Sequence, residues 1–269
     1  MNLELTSKRA FISGSTQGIG FAIAQQLLEE GAEVIINGRQ KEKTENAVSQ
    51  LKQQFPNAKV SSLVADFSNK EEVNFLLQEL NDIDILINNV GVFELKDFEA
   101  ISDEDWYTIF EINVMSSVRL SRHLFSTMLE KKWGRIIFIS SESGVNIPGN
   151  MIHYGMTKAS MLAISNGLSK LTKGTEVTVN TILGGPTYSE GVATNIEHIA
   201  AHQNISVEQM KTAIIQQTNP DSLLQRFIKP KEIASLATYL SSPLSGATNG
   251  ASLRADGGVL KQCKLLIKA

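Results

Sequence analysis

A single cysteine, Cys263, is all that this chain of 269 residues carries. It cannot close an intramolecular disulfide, and in a C-terminal tail it offers no redox chemistry within one chain, so it reads as an inert thiol. Prolines number six and aromatic residues make up 6%. No Pro/Gly-rich linker, internal repeat or low-complexity tract marks a second domain. Acids outnumber Lys and Arg by only three, a net charge of −3, which leaves no basic excess for nucleic acid. No apolar run approaches the roughly 20 residues that cross a bilayer. The start, Met1-Asn2-Leu3-Glu4-Leu5-Thr6-Ser7-Lys8-Arg9, is too polar for a signal peptide. The expectation is a cytoplasmic protein with no nucleic-acid or membrane partner. A metal site is not expected either: His198 and His202 are spaced i, i+4, but no acid follows His198 as in the His-Glu-x-x-His zinc motif, so they read as a surface pair. His153, a lone histidine beside Tyr154, reads as structural or as a pocket wall.

What is present is a rhythm. Seven β-rich runs, 9–13, 33–37, 58–64, 84–88, 135–140, 177–182 and 251–255, are each separated from the next by enough chain for a helix. That alternation predicts an α/β fold: a doubly wound, seven-stranded parallel sheet with helices on both faces. Ser68 with Glu71 and Ser102 with Asp105 fit the capping pattern and predict helix starts. One domain over residues 1–269 is expected, with a helical lid at about 189–224 and a short tail from about 260.

Directly after the first run comes Gly14-Ser15-Thr16-Gln17-Gly18-Ile19-Gly20, leading into an apolar helical stretch. Glycines let backbone approach a pyrophosphate, and a helix N-terminus offers unpaired N–H groups and partial positive charge. The spacing departs from the commonest dinucleotide fingerprint, and a turn that merely needs glycine is the plain alternative. The second run ends Asn37-Gly38-Arg39-Gln40-Lys41, with no acid to hold a ribose 2′-hydroxyl. Arg39 and Lys41 match a 2′-phosphate in charge and, for Arg39, in fork geometry. NADP(H) is therefore preferred, with NAD(H) open and two solvated residues as the plain reading.

Tyr154 and Lys158 stand four residues apart, on one helix face if the segment is helical. A cation there would favour the phenolate and lower the phenol's pKa, although an amphipathic helix with a snorkelling lysine gives the same spacing. Asn113 lies on or beside the apolar stripe Trp106, Ile109, Phe110, Leu120 and Leu124 of the helix opening at Ser102. Unpaired, a buried amide costs about 1–3 kcal/mol, so Asn113 requires partners.

These motifs together resemble the classical short-chain dehydrogenase/reductases, from about Lys8 to Val259. Gly14-x-x-x-Gly18-Ile19-Gly20 resembles that family's cofactor loop, Asp66 its adenine-contacting acid, and Asn88-Asn89-Val90-Gly91 its Asn-Asn-Ala-Gly turn, with Val90 for Ala. Asn180-Thr181-Ile182-Leu183-Gly184-Gly185 resembles its Asn-x-Ile-x-Pro-Gly, with Gly184 for proline and Pro186 two residues on, and Asp256-Gly257-Gly258 its Asp-Gly-Gly.

The resemblance implies a single-domain Rossmann fold and a catalytic tetrad of Asn113, Ser141, Tyr154 and Lys158, with Ser141 rather than Ser140 chosen by the family's Ser-to-Tyr distance. It implies cofactor contacts from Gly14, Ser15, Thr16, Gln17, Gly18, Ile19, Gly20, Arg39, Asp66, Phe67, Asn89, Gly91, Tyr154, Lys158, Gly185 and Ser189. The activity implied is hydride transfer between a nicotinamide and a carbonyl or secondary alcohol, similar to the 3-oxoacyl carrier-protein reductases. Ser141 would bind the carbonyl oxygen, Tyr154 would move the proton, Lys158 would tune Tyr154 and hold the ribose, and Asn113 would hold a water in a proton relay. The alternatives are an NAD-dependent sugar or steroid alcohol dehydrogenase and a catalytically silent NADPH sensor or scaffold.

In the lid, Ile196, Ile199, Ile205, Val207, Met210, Ile214 and Ile215 are expected to cover an apolar substrate, with Glu190, Glu197 and Lys211 facing water. Gly155, Ala159, Ala163 and Gly167 recur every fourth position, which permits close packing of another helix or subunit. A homo-oligomer, dimer or tetramer, is what the family resemblance implies.

Overall fold

The computed structural model describes residues 2–261; Cys263 and most of the expected tail lie outside the described residues. Seven strands, β1 (Arg9–Ile12), β2 (Glu33–Gly38), β3 (Val60–Val64), β4 (Ile85–Asn88), β5 (Trp133–Ser141), β6 (Glu176–Gly184) and β7 (Ser252–Ala255), form one sheet in the order β3-β2-β1-β4-β5-β6-β7. Every pairing is parallel. The chain reverses its direction of winding between β1 and β4, and ligands of open α/β sheets bind at such a switch point, beyond the carboxyl ends of the strands.

Parallel sheets are covered on both faces, so their strands are apolar on both sides. In β1, Ala10 and Ile12 enter one core with Ile23 and Leu27 of α1 (Gly18–Glu29) and Ile233 and Ala237 of a late helix (Pro230–Ser241). Phe11, between them, enters the opposite core with Phe138, Leu120 and Met161. That second layer is built from α3 (Lys70–Glu79), α5 (Ser116–Glu130) and α6 (Ile152–Ser169); α2 (Lys41–Gln54) and α4 (Asp103–Phe110) complete the helices before the lid.

Ser102 caps α4 with a complete capping box to Asp105, as its spacing predicts. The start expected at Ser68 is displaced by one residue. Asn69 caps α3, accepting from the N–H groups of Glu71 and Glu72, because the Ser68 hydroxyl is spent on Asp66 at 2.7 Å. Nor is the helix from Ser102 continuous: a π-helical turn, Glu111–Met115, separates α4 from α5. The turn shifts the helical phase, and Phe110, expected on the buried stripe, is exposed.

The stretch expected to form a lid holds α7 (Glu190–His202) and α8 (Val207–Thr218), followed by α9, the helix at Pro230–Ser241. Ile196, Met210 and Ile215 pack with Phe227, flanked by Val207 and Ile214, in a small core of their own. These side chains, expected over a substrate, are spent on each other, while Ile199 and Ile205 are exposed. Lys211, expected in water, is half-buried over the Tyr188 ring, 4.5 Å from its centroid. No helix among the described residues is long and apolar enough to cross a membrane, and no cluster of three metal-ligating side chains occurs among them.

Candidate active site

The glycine loop is held from beneath by Asn37 at the end of β2. Its Oδ1 accepts from the Gly14 N–H at 3.0 Å, and its backbone N–H donates to the Ser15 Oγ at 2.9 Å. Ser15 is fully buried and donates to the Ile12 carbonyl at 2.7 Å. It therefore braces the loop and does not line the groove. Gly20 is likewise a packing position: a Cβ there would lie 2.6 Å from both Asn89 Nδ2 and the Gly14 carbonyl.

Above the loop runs a groove of about 420 Å³. Gly14, Thr16, Gln17, Gly18 and Ile19 form its floor. Arg39, Asp66, Phe67, Asn89, Gly91 and Ser189, expected from four separate stretches of sequence, line it too, and Val90 joins them. Besides Ser15 and Gly20, two residues expected at the cofactor stand outside the groove. Lys41, at the first position of α2, lies outside the groove within 3.9 Å of Glu45, and Lys43, which the sequence reading missed, takes the place beside Arg39. Gly185 is packed on Asp256, 2.6 Å from its carbonyl to where a Cβ would sit, and does not line the groove.

A carboxylate already tests the anion-binding character of this loop. Glu190, expected to face water, accepts from the Gly18 N–H at 2.6 Å. Gly18 opens α1, where unpaired N–H groups and the helix dipole favour negative charge. The residues thus fit a dinucleotide: bare backbone for a pyrophosphate, Arg39 after β2 with Lys43 in the first turn of α2, and Asp66 and Phe67 after β3.

At the other end of the groove lies the second cluster. Tyr154 and Lys158 share a face of α6, with the Lys158 Nζ 5.6 Å from the Tyr154 ring centroid. Lys158 is buried, and its Nζ donates to the Ile139 carbonyl at 3.0 Å. Gly91 leaves it room, since a Cβ there would stand 3.1 Å from Nζ. Ser140 is tied by its Oγ to the Lys158 carbonyl at 2.9 Å, whereas the Ser141 Oγ donates to Glu142 and accepts from the Ser143 N–H. Phe93 meets Tyr154 edge-on at 6.1 Å between ring centroids. His153 is buried against Trp106, a packing role.

Asn113 is wholly buried within the π-helical turn. Its Nδ2 donates to the Val92 carbonyl at 2.9 Å and to Thr157 Oγ1 at 3.0 Å, and its Oδ1 accepts from the Val92 N–H at 2.8 Å. Through these bonds Asn113 fastens the loop at Val92 to α6.

The electrostatics differ from the expectation that Lys158 lowers the Tyr154 pKa. Burial pushes the phenol well above its ordinary value, and Glu142 adds to the rise. Burial also brings Lys158 down to about 8, against a pull upward from Glu142. Glu142, itself raised by burial and opposed by hydrogen bonds from Ser141 and Ser143, is a site residue the sequence reading missed. The signal was an acid directly after the candidate serine.

A parallel doubly wound sheet with a glycine loop at its switch point and a Ser-Tyr-Lys cluster at the carboxyl end of β5 defines a nucleotide-dependent oxidoreductase architecture. The short chain dehydrogenase profile matches residues 8–200, and the chain belongs to that family. Over 261 residues it is 45% identical to the uncharacterized oxidoreductase YvaG of Bacillus subtilis, covering 97% of this chain and 99% of that protein. It is 27% identical over 263 residues to the 3-oxoacyl-[acyl-carrier-protein] reductase of Aquifex aeolicus, covering 96% of this chain and all of that one. The crystal structure of L-sorbose reductase from Gluconobacter frateurii, complexed with NADPH and L-sorbose, superposes with a TM-score of 0.91 at 27% identity over 98% of this chain and 100% of that one.

Proposed function

We propose that this oxidoreductase is NADP(H)-dependent and interconverts a carbonyl and a secondary alcohol, with Tyr154 as the general acid and base. The observation that carries the reading is the closeness of Lys158 to Gly91, with its Nζ 3.1 Å from where a Cβ on Gly91 would sit. Gly91 lines the groove and Lys158 stands on the Tyr154 helix, so a ligand along the groove ends beside the phenol. Arg39 and Lys43 favour a 2′-phosphate, and the NADPH in the Gluconobacter reductase supports the same choice.

When bound, the nicotinamide cofactor supplies or receives the hydride. Gly18 and its neighbours would hold the pyrophosphate, Asp66 and Phe67 the adenine end, and Lys158 the ribose nearest the phenol. Ser141 would orient the carbonyl oxygen. Tyr154 would donate its proton to that oxygen during reduction and take one from the alcohol during oxidation. The raised phenol pKa keeps Tyr154 protonated before reduction, and the same burial strengthens its hydrogen bond to the carbonyl oxygen. Asn113 positions the 92 segment and α6 around this centre.

The stretch 189–224 serves in this reading as a lid over the substrate within a single catalytic domain, and the protein as a cytoplasmic homo-oligomer. The small-residue row favours that last point in part: Gly155 is taken up by Ile147 of the same chain, whereas Ala163 and Gly167 are exposed.

The test is loss of NADPH absorbance against a panel of ketones, acyl thioesters and keto-sugars. Turnover with at least one carbonyl, faster with NADPH than NADH and lowered about 10²–10⁴-fold in Tyr154→Phe, is the expected result. Flat traces across the panel with intact NADPH binding would instead identify a sensor or scaffold. Full activity in Tyr154→Phe would remove Tyr154 from the chemistry.

A further inference from the structure

The hydroxyl of Ser141 is already committed. A serine hydroxyl has one hydrogen to give and two lone pairs to accept with. Here the hydrogen goes to Glu142 Oε2, and one lone pair receives the Ser143 N–H at 3.1 Å. A carbonyl oxygen accepts only, so it can form no hydrogen bond with a hydroxyl whose hydrogen is spent. The one lone pair left suits a partner that brings its own hydrogen, such as an alcohol or the Tyr154 phenol.

We propose that Glu142 is a positioning residue whose protonation state sets the direction of the Ser141 hydroxyl. Ionised, it draws the Ser141 hydrogen onto its carboxylate and leaves the site arranged for an alcohol. Protonated, it no longer draws that hydrogen and can turn its own O–H to the Ser141 oxygen, which frees the hydrogen for a substrate carbonyl. This rests on the carbonyl–alcohol chemistry proposed above and adds to it a control on direction: reduction is favoured by the proton on Glu142, oxidation by its loss.

The surroundings of Glu142 suit such a role. It opens the short helical turn Glu142–Gly144 after β5, against α6 and the end of β6. Its second oxygen accepts from the Ser143 Oγ at 3.2 Å. The titratable groups coupled to it are Tyr154 and Lys158 of α6, and β6 ends in the uncharged Leu183 and Gly184. Burial holds the carboxyl above the ordinary glutamate range, so the change of state falls nearer to neutral pH than that of an exposed glutamate.

Two measurements on the full chain test the proposal. In the first, kcat for carbonyl reduction is followed against pH in the wild type and in Glu142→Gln, which is nearly isosteric and cannot ionise. The wild type should fall by roughly 10²-fold as Glu142 ionises, the scale of losing one donor to a developing oxyanion. Glu142→Gln should lack that limb and keep only the one belonging to Tyr154 at higher pH. Superimposable profiles would overturn the proposal. The second needs no turnover: carbon NMR of protein labelled at the glutamate carboxyl carbon, with the Glu142 signal assigned by its loss in Glu142→Gln. Its midpoint should lie above that of the exposed glutamates and rise further in Ser141→Ala, since the carboxylate loses a donor. A midpoint unmoved by Ser141→Ala would also overturn the proposal. If the wild type reduces no carbonyl, the functional reading fails while the NMR titration still decides the coupling.

Discussion

The carboxylate of Glu190 accepts a 2.6 Å hydrogen bond from the Gly18 N–H, across 172 residues of sequence. Glu190 begins α7 and Gly18 begins α1, so α7 is fastened onto the loop that would hold a pyrophosphate. Both anions want the same N–H group. Glu190→Ala should therefore tighten NADPH binding, by about three- to tenfold for one charge-assisted hydrogen bond at a solvent-open position, and Glu190→Gln by less. Calorimetric titration of NADPH into each variant checks this; weaker binding in Glu190→Ala would mean that the carboxylate helps the ligand.

Arg39 lines the same groove at the end of β2, exposed and without a carboxylate in ion-pair range among the described residues. Its guanidinium would be free for a 2′-phosphate. Arg39→Ala should weaken NADPH about tenfold and leave NADH nearly unchanged, as read from the ratio of the two dissociation constants. An equal loss for both cofactors would place Arg39 outside 2′-phosphate recognition.

Asn113 satisfies both backbone groups of Val92 and also Thr157. Asn113→Ala removes all three bonds at a fully buried position, and each stranded polar group costs about 1–3 kcal/mol. The variant should lose at least about 2 kcal/mol in urea unfolding. Asn113→Asp should lose a comparable amount, because a carboxylate would then face the Val92 carbonyl. Wild-type stability in both would show that the amide is dispensable to the scaffold.

Stability should also depend on pH through Lys158, whose burial lowers it to about 8 from an ordinary 10.5. Between those values the unfolded chain binds a proton that the folded chain does not, so stability rises with pH across the interval. The gain is on the order of 3 kcal/mol. Above pH 10 the sense reverses, since the unfolded Tyr154 phenol ionises while the buried one, raised in the fold, stays protonated. Urea midpoints from pH 7 to 10 should rise in the wild type and stay level in Lys158→Met; a rise of the same size in that variant would assign it to another group.

Local chemistry was legible without coordinates. Seven β-rich runs separated by helix-length segments are a periodic signal, and each becomes a parallel strand within a few residues of its expected bounds. The loop from Gly14 to Gly20 and the Ser102 cap depend on contiguous residues and backbone geometry, so the sequence carries them openly. Small displacements arose where two local options compete, as when Asn69 caps α3 because Asp66 captures Ser68, or Lys43 reaches the groove because Lys41 starts the helix on another side.

What the sequence alone determined is the order of elements and the residue types available at the carboxyl ends of the strands. Only the tertiary structure decided which of them face one another. Glu190 on Gly18, Asn113 on Val92 and the lid side chains on each other are contacts whose partners no local period specifies, because hydrogen bonds and apolar packing are settled by distance in space. Burial follows the same rule. Tyr154, Lys158 and Glu142 are ordinary titratable groups in a string of letters, and it is their removal from water beside one another that shifts each from its usual range.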